Sequence, residues 1–205
     1  MSESKATVVL ASGNQGKLKE FSAILGAAGI TMIAQGELGV PEAEEPYATF
    51  VENALAKARH ASIHTGLPAL ADDSGLCVRG LGGAPGVHSA RFAELKGGAR
   101  TDAANNQCLL DAMRTLRDRS ACYVAVLVYL QSADDPRPII AEGAWSGEIM
   151  DAPRGSHGFG YDPYFYLPGL DKTVAELNPA EKNALSHRAR ALNALLRALS
   201  TDKET

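Results

Sequence analysis

At the start of the chain, hydrophobic and polar residues follow the pattern of a strand, a helix and a second strand. Thr7–Ser12 is a short apolar and β-branched run that ends at Gly13. The apolar residues after it recur at helical spacing: Leu18, Phe21, Leu25 and Ala28. Gly29 predicts the end of that helix, and Thr31–Ala34 can form the second strand. The pattern predicts a βαβ-like unit whose two strands are parallel.

A second helix is predicted after an acidic loop. Residues 36–47 contain two prolines and several glutamates without any periodicity, so we expect a loop there. Thr49 and Glu52 have the spacing of a helix-capping pair, and Gly66 follows the predicted helix. An apolar stripe runs along it: Phe50, Ala54, Leu55, Ala58 and Ala61. The other face has the composition of a solvated surface: Asn53, Lys57, His60 and His64. Asn53 and Lys57 are kept in reserve as candidate functional residues.

The rest of the chain changes between helical and strand patterns. Thr101–Arg117 has its apolar residues on one helical face, and the apolar runs Tyr123–Leu130 and Ile139–Ile149 flank turn residues, as in an antiparallel hairpin. Tyr164–Leu167 has the pattern of an edge strand, and Asn178–Pro179 has the residue types of a helix cap and first turn. The pattern predicts a mixed α/β fold, with residues 1–205 as a single domain.

Composition excludes several classes of protein. The 205 residues are 45% hydrophobic and 21% charged, which is the balance of a globular domain. Twenty Lys and Arg against 24 Asp and Glu give a net charge of −4, so no global positive field attracts nucleic acid or anionic membrane. The three cysteines lack a Cys-x-x-Cys spacing, which favours a reduced setting, and the apolar run Ala121–Leu130 is too short to span a bilayer. We therefore expect a cytoplasmic protein without nucleic-acid or membrane partners.

The turn between the first strand and the first helix is a candidate phosphate site. Ser12–Lys17 places two glycines and a lysine where a helix begins. Backbone N–H groups at a helix start, together with an ammonium group, can hold a phosphate. The spacing differs from a P-loop, because Gly13 stands too close to Lys17 and Leu18 follows the lysine. A plain tight turn accounts for the segment equally well.

Asp72–Gly75 is a candidate catalytic or metal-binding segment. Two acids at the carboxyl end of a predicted strand lie where open α/β sheets bind their ligands. Because neighbouring strand residues point to opposite faces, we expect one acid in the site and favour Asp73, since Ser74 and Gly75 begin a turn. The loop acids Glu44–Glu45 could supply a second carboxylate, and such hard oxygen ligands favour Mg²⁺. A solvated turn remains the alternative.

Two later segments are candidate ligand contacts. Gly158–Pro163 places glycines around aromatic residues, which allows a flat ligand to approach the backbone and stack on a ring. In Glu181–Arg188, Lys182 and His187 lie roughly 140° apart on a straight helix, so they cannot point at one place unless the helix breaks. Ser186 is a good N-cap and marks such a break. A core-anchored loop and a solvated helix surface are the alternatives.

Taken together and in this order, the motifs resemble the inosine/xanthosine triphosphate pyrophosphatase family, whose members remove non-standard purine nucleotides. The resemblance begins with Ser12–Asn14 and Lys17, and it ends with Lys182–Asn183 and Ser186–Arg188. Further matching segments lie between these: Thr49–Phe50, Glu52–Ala54, Ala71–Leu76, Leu81–Val87, Ser89–Arg91 and Gly158–Pro163. The motifs span nearly the whole chain, so their joint occurrence is highly specific.

The resemblance implies hydrolysis of dITP, ITP and XTP to the nucleoside monophosphate and pyrophosphate, with Mg²⁺ as cofactor. It also implies a homodimer of elongated α/β subunits, each with a central sheet flanked by helices and two lobes with a cleft between them. Asp73 would be the proton acceptor and a metal ligand. Family members often have a small residue and a glycine after the loop glutamate, where this chain has Pro46 and Tyr47. Counting back from Phe50 favours Glu45 as the other metal ligand, and Glu44 stays open.

The resemblance also assigns the substrate contacts. The triphosphate would be bound by six consecutive residues: Ser12, Gly13, Asn14, Gln15, Gly16 and Lys17. Ser74 would touch the substrate. The base and sugar side would be formed by residues from two segments: Phe159, Gly160, Tyr161, Asp162, Lys182, His187 and Arg188.

Two alternatives stay open at this point. A related pyrophosphatase acting on dTTP or UTP would keep the reaction and change the base, and product analysis across nucleotides separates the two. A non-catalytic nucleotide sensor could keep Lys17 and Arg188, but it would have no need of Asp73 together with a loop glutamate.

Overall fold

A computed structural model describes residues 6–202, except for the side chains of Ala6, Gln15 and Asp202. The described chain divides into two compact units. Unit 1 takes its residues from 6–73, 125–143 and 190–202, and unit 2 consists of Ser74–Val124 and Ala144–Ala189. The single-domain assignment, the elongated outline and the cleft stay predictions.

Seven strands form one sheet in the order β2-β1-β3-β4-β5-β6-β7. Their bounds are β1 Ala6–Leu10, β2 Ile30–Ala34, β3 Ala69–Val78, β4 Ser120–Leu130, β5 Ile139–Ile149, β6 Phe165–Leu167 and β7 Lys172–Thr173. β1 pairs in parallel with β2 and with β3, which confirms the predicted parallel pair. β6 pairs in antiparallel fashion with both β5 and β7. The prediction that this segment forms an edge strand is therefore wrong. The strand at this edge is β7, whose two residues are too few to produce a sequence pattern, and β2 forms the other edge.

Five α-helices accompany the sheet: α1 Gln15–Gly26, α2 Phe50–Thr65, α3 Asp102–Met113, α4 Pro179–Leu185 and α5 His187–Asp202. Two of them begin at the predicted caps: the Thr49 side chain accepts the Glu52 N–H, and the Asn178 side chain accepts the Glu181 N–H. The break at Ser186 is confirmed: α4 ends there, and the Ser186 hydroxyl accepts the Ala189 N–H at 3.1 Å. α3 ends four residues before the predicted Arg117, where the Leu116 N–H turns back to the Met113 carbonyl.

Each unit has its own hydrophobic core, which fixes the elements that carry the candidate residues. In unit 1, strand residues such as Leu10 and Leu70 pack with Phe21 of α1 and Leu192 of α5. In unit 2 the core contains fully buried residues from strands and α3: Leu76, Val78, Leu109, Met113 and Phe165. The mixed α/β class predicted from the sequence is confirmed.

Within residues 6–202, no helix has the length and apolar character that crossing a bilayer requires.

Candidate active site

The candidate phosphate turn is held by Asn14, the N-cap of α1. Its side-chain oxygen accepts the N–H groups of Gly16 at 2.8 Å and Lys17 at 3.1 Å, and its own N–H donates to the Ser12 hydroxyl. These helix-start amides, which were predicted to be available to a phosphate, are therefore engaged within the turn. A phosphate bound by them would have to displace the Asn14 side chain. The side chain of Gln15 lies outside what the structure describes.

Two lysines and three carboxylates of unit 1 form what we call the carboxylate–lysine cluster: Lys17, Glu45, Lys57, Asp72 and Asp73. The Lys17 Nζ lies 2.8 Å from Asp72 Oδ2. The Lys57 Nζ donates to Glu45 Oε1 at 2.7 Å, to Asp73 Oδ1 at 2.9 Å and to the Asp72 carbonyl at 2.9 Å. Lys57 thus uses all three of its ammonium protons to hold the acidic loop against β3.

The local structure around Asp73 differs from the predicted turn. β3 continues through Ser74 and Gly75 to Val78, so Asp72 and Asp73 lie in the middle of a strand. Both are buried, with 1% and 7% of their surface exposed. Alternation along the strand sends their carboxylates to different partners, Lys17 on α1 and Lys57 on α2. The ion pairs therefore allow two adjacent acids in a buried strand.

The prediction of a solvated face on α2 is wrong for Asn53 and Lys57. They lie one helical turn apart and are buried, at 1% and 9% exposure. Asn53 binds both backbone groups of Tyr47, accepting its N–H at 3.0 Å and donating to its carbonyl at 3.1 Å, and it also donates to Asp73 Oδ2 at 3.4 Å. Asn53 therefore fixes the end of the acidic loop beside Asp73. The Asn-x-x-x-Lys spacing was visible in the sequence, but the buried partner of that face was not.

The two loop glutamates occupy different environments. Glu44 is exposed, whereas the Glu45 side chain is 33% exposed and bonded to Lys57. The structure thus brings Glu45 and Asp73 to the same ammonium group.

Burial and neighbouring charges set the proton affinity of this cluster. Burial raises the pKa of Asp73 above its usual range, and the charges of Glu45 and Asp72 add to this, while Lys57 opposes it. Burial lowers the pKa of Lys57, but the carboxylates of Asp73 and Glu45 outweigh it, so the net shift is upward. Asp73 is consequently a stronger base than an exposed aspartate, which suits a group that accepts a proton from water.

The donor set of the cluster fits a magnesium ion. Glu45 and Asp73 each place a carboxylate oxygen within 3 Å of one cationic atom, the Lys57 Nζ, so both can converge on a positive charge. No group of three His, Cys, Asp or Glu residues suited to a metal occurs in the described part of the chain. Mg²⁺ needs no such cage, because it is typically bound by one or two carboxylates with phosphates and water completing its shell.

A second group of residues lies at the loop 158–162 in unit 2, and we call it the aromatic-loop cluster: Tyr123, Phe159, Tyr161, Asp162 and Lys182. Asp162, which is 3% exposed, accepts the Phe159 N–H at 3.0 Å, the Tyr123 hydroxyl at 3.1 Å and the Lys182 ammonium at 2.5 Å. Gly158 has φ +80°, and a Cβ there would lie 2.1 Å from Asp162 Oδ2. The loop therefore requires glycine at 158 to fold over the buried carboxylate.

Phe159 is the exposed member of this cluster. Its surface is 65% exposed, and the Lys182 Nζ lies 4.6 Å from the centre of its ring. Tyr161 is 4% exposed, and its hydroxyl donates to the Ser89 carbonyl; its predicted contact with substrate stays a prediction. Its side chain belongs to the core of unit 2. An exposed, flat ring with a cation beside it can stack on a planar ligand.

The break at Ser186 places the start of α5 beside the same cluster. The His187 ring stacks on Tyr123 with centroids 4.9 Å apart, and Arg188 Nη2 donates to the Ser74 hydroxyl at 3.3 Å. Both His187 and Arg188 are 8% exposed. Tyr123, which sequence reasoning missed, links Asp162 to His187; its position in an apolar strand gave no sign of this.

Comparison with known proteins agrees with the fold and these motifs. Residues 8–198 match the model of the Ham1 family, and the chain belongs to that family. Over 192 residues it is 65% identical to a protein from Ralstonia nicotianae named dITP/XTP pyrophosphatase, covering 94% of this chain and 96% of that protein. A Burkholderia pseudomallei protein of the same name is 63% identical over 195 residues, which cover 95% and 94% of the two chains.

A solved structure supports the same relationship. The HAM1 protein from Coxiella burnetii superposes with a TM-score of 0.90 at 49% identity, over 96% of this chain and 99% of that one.

Proposed function

We propose that this protein hydrolyses non-standard purine nucleoside triphosphates, namely dITP, ITP and XTP, to the monophosphate and pyrophosphate. The names of its relatives support the substrate class. The observation that carries the chemistry is Asp73, a buried carboxylate of raised pKa that shares the Lys57 ammonium with Glu45. A protein that only binds nucleotides has no need of such a base.

In this proposal, the carboxylate–lysine cluster and the Ser12–Lys17 turn act on the triphosphate. Asp73 accepts the proton of the water that attacks the α-phosphorus. Lys17 and the Ser12–Gly16 turn bind the triphosphate oxygens, which displace the Asn14 side chain from the Gly16 and Lys17 N–H groups. Glu45 and Asp73 hold Mg²⁺, which when bound offsets the negative charge of the phosphate oxygens. Lys57 and Asn53 keep the two carboxylates in place through the contacts described above.

The base and sugar are contacted by the residues that the resemblance assigns to them. Phe159 stacks on the purine, with Lys182 beside the ring, and Ser74 and the residues around Asp162 complete the contacts. Hypoxanthine and xanthine carry an acceptor oxygen at position 6, where adenine carries an amino donor. Donor groups of His187 and Arg188 facing that position would therefore reject adenine. The proposal further includes a cytoplasmic homodimer.

Pyrophosphate release from a panel of nucleotides tests the function. ITP, XTP and dITP should be cleaved with Mg²⁺ and not when it is removed by a chelator, while ATP and GTP should be poor substrates. Preferential cleavage of dTTP or UTP would contradict the purine assignment in favour of the related pyrophosphatase. Nucleotide binding with no pyrophosphate release under any of these conditions would favour a sensor.

Substitutions at Arg188 and Phe159 separate reading of the base from stacking. Loss of a charged hydrogen bond to the 6-oxygen should lower kcat/KM for ITP roughly ten- to a hundredfold in Arg188→Ala, and less for ATP. Phe159→Ala should lower kcat/KM for ITP and for ATP by similar factors, because stacking does not depend on the 6-substituent. Arg197→Ala, an exposed arginine on the same helix, is the control. If kcat/KM fell equally for ITP and ATP in Arg188→Ala, Arg188 would not be the residue that distinguishes the bases.

A further inference from the structure

Both backbone groups of Gly160 are bound by side chains of α3. The Gly160 N–H donates to Asp102 Oδ2 at 2.7 Å, and the Gly160 carbonyl accepts from Asn106 Nδ2 at 2.8 Å. Asp102 and Asn106 lie one helical turn apart and more than fifty residues before the loop. We call this pair and its two bonds the Gly160 clamp.

The clamp bonds to the peptide groups on either side of Gly160, and the first of these joins Gly160 to Phe159. Packing holds the exposed Phe159 ring only weakly, so its direction depends on the backbone on either side. Asp162 bonds to that backbone from within the loop, through the Phe159 N–H and the Phe159 carbonyl. From outside the loop, the clamp bonds to Gly160, whose φ of +63° lies in the left-handed region.

Neither clamp residue is needed to cap α3. Thr101 is the N-cap, and its hydroxyl accepts the Ala104 N–H at 3.2 Å. Asn106 is 8% exposed and its Nδ2 donates both to Gly160 and to the Asp102 carbonyl, while its Oδ1 is buried and has no hydrogen-bond partner among the described residues. A buried amide with one unsatisfied oxygen lowers the free energy of unfolding. Helix formation alone therefore does not explain why an asparagine stands at position 106.

We propose that Asp102 and Asn106 are positioning residues that hold Phe159 in the orientation needed to stack on the substrate base. The inference rests on the proposed function, which assigns Phe159 to stacking. The clamp fixes the loop before substrate arrives, so binding does not have to order it. Its loss therefore weakens substrate binding and leaves the hydrolytic step, which uses residues of unit 1, nearly unchanged.

Kinetics of clamp variants on ITP test this. Asn106→Ala and Asp102→Ala should raise KM about five- to tenfold, as expected for loss of one hydrogen bond, with kcat within about twofold. Asp102→Asn keeps an acceptor oxygen for the Gly160 N–H and should restore KM to within about twofold of the wild type.

Asn105 supplies a matched control. It lies next to Asn106, is 4% exposed, and binds a different segment through the Ala93 N–H and the Ala90 carbonyl. Asn105→Ala should lower the melting temperature about as much as Asn106→Ala does, without the rise in KM. An equal rise in KM would mean that general destabilisation accounts for the effect, and the proposal would be overturned.

A double-mutant cycle and hydrogen exchange complete the test. In a Phe159→Ala background, Asn106→Ala should change KM by less than about twofold, since the ring it positions is gone; the full rise there would overturn the proposal. Amide exchange at Gly160, measured without nucleotide, should be faster in Asp102→Ala than in wild type or Asp102→Asn. Unchanged exchange at Gly160 in Asp102→Ala would overturn the positioning role of the clamp and leave the proposed function intact. A wild-type protein that does not cleave ITP would overturn the proposed function.

Discussion

Asp73→Asn should lower kcat for ITP by about 10²–10⁴-fold, because it removes the group that accepts the proton of the attacking water. The variant should still fold, since asparagine has the same shape and Lys57 keeps Glu45 and the Asp72 carbonyl as partners. Steady-state pyrophosphate release gives kcat, and circular dichroism monitors the fold.

Asp134→Asn is the matched control for that substitution. Asp134 is an exposed aspartate in the same unit, in the connection between β4 and β5, and its loss should leave kcat within about twofold of wild type. If a folded Asp73→Asn protein kept more than about a tenth of the wild-type activity, Asp73 would not be the general base.

Lys57→Met should lower the free energy of unfolding by ~3–5 kcal/mol, the usual cost of removing one partner of a buried ion pair. The Lys57 and Asp73 side chains are only 11% and 9% exposed, so solvent replaces the lost ammonium poorly. Urea denaturation followed by circular dichroism measures the change. The exposed Lys19 of α1 provides the control Lys19→Met, which should change stability by less than about 0.5 kcal/mol.

A double variant shows whether the buried charge is the cause. Lys57→Met with Asp73→Asn should recover a large share of the lost stability, because the carboxylate that Lys57 neutralised is gone as well. A loss below about 1 kcal/mol in Lys57→Met, or no recovery in the double variant, would contradict a buried ion pair at this position.

Features that depend on short-range chemistry were predictable from the sequence. The caps at Thr49 and Asn178 and the break at Ser186 each follow from side chains that bond to backbone within three residues. The first parallel strand pair followed from apolar periodicity and one glycine.

Features that depend on distant partners were not predictable in the same way. Asp72 and Asp73 looked like the end of a strand, because acids and glycine disfavour strands locally; Lys17 and Lys57 override that preference by neutralising them. Asn53 and Lys57 looked solvated because polar residues on a helix usually are, and only the position of β3 and the acidic loop buries them. The family resemblance assigned roles to particular residues without revealing these contacts.

The most direct test of the central claim, that water attacks the α-phosphorus, is hydrolysis of ITP in ¹⁸O-labelled water followed by mass spectrometry of both products. The proposed mechanism predicts the label in inosine monophosphate and none in pyrophosphate. Label in pyrophosphate would mean attack at the β-phosphorus, and labelled orthophosphate with a nucleoside diphosphate would mean attack at the γ-phosphorus; either result would contradict the account.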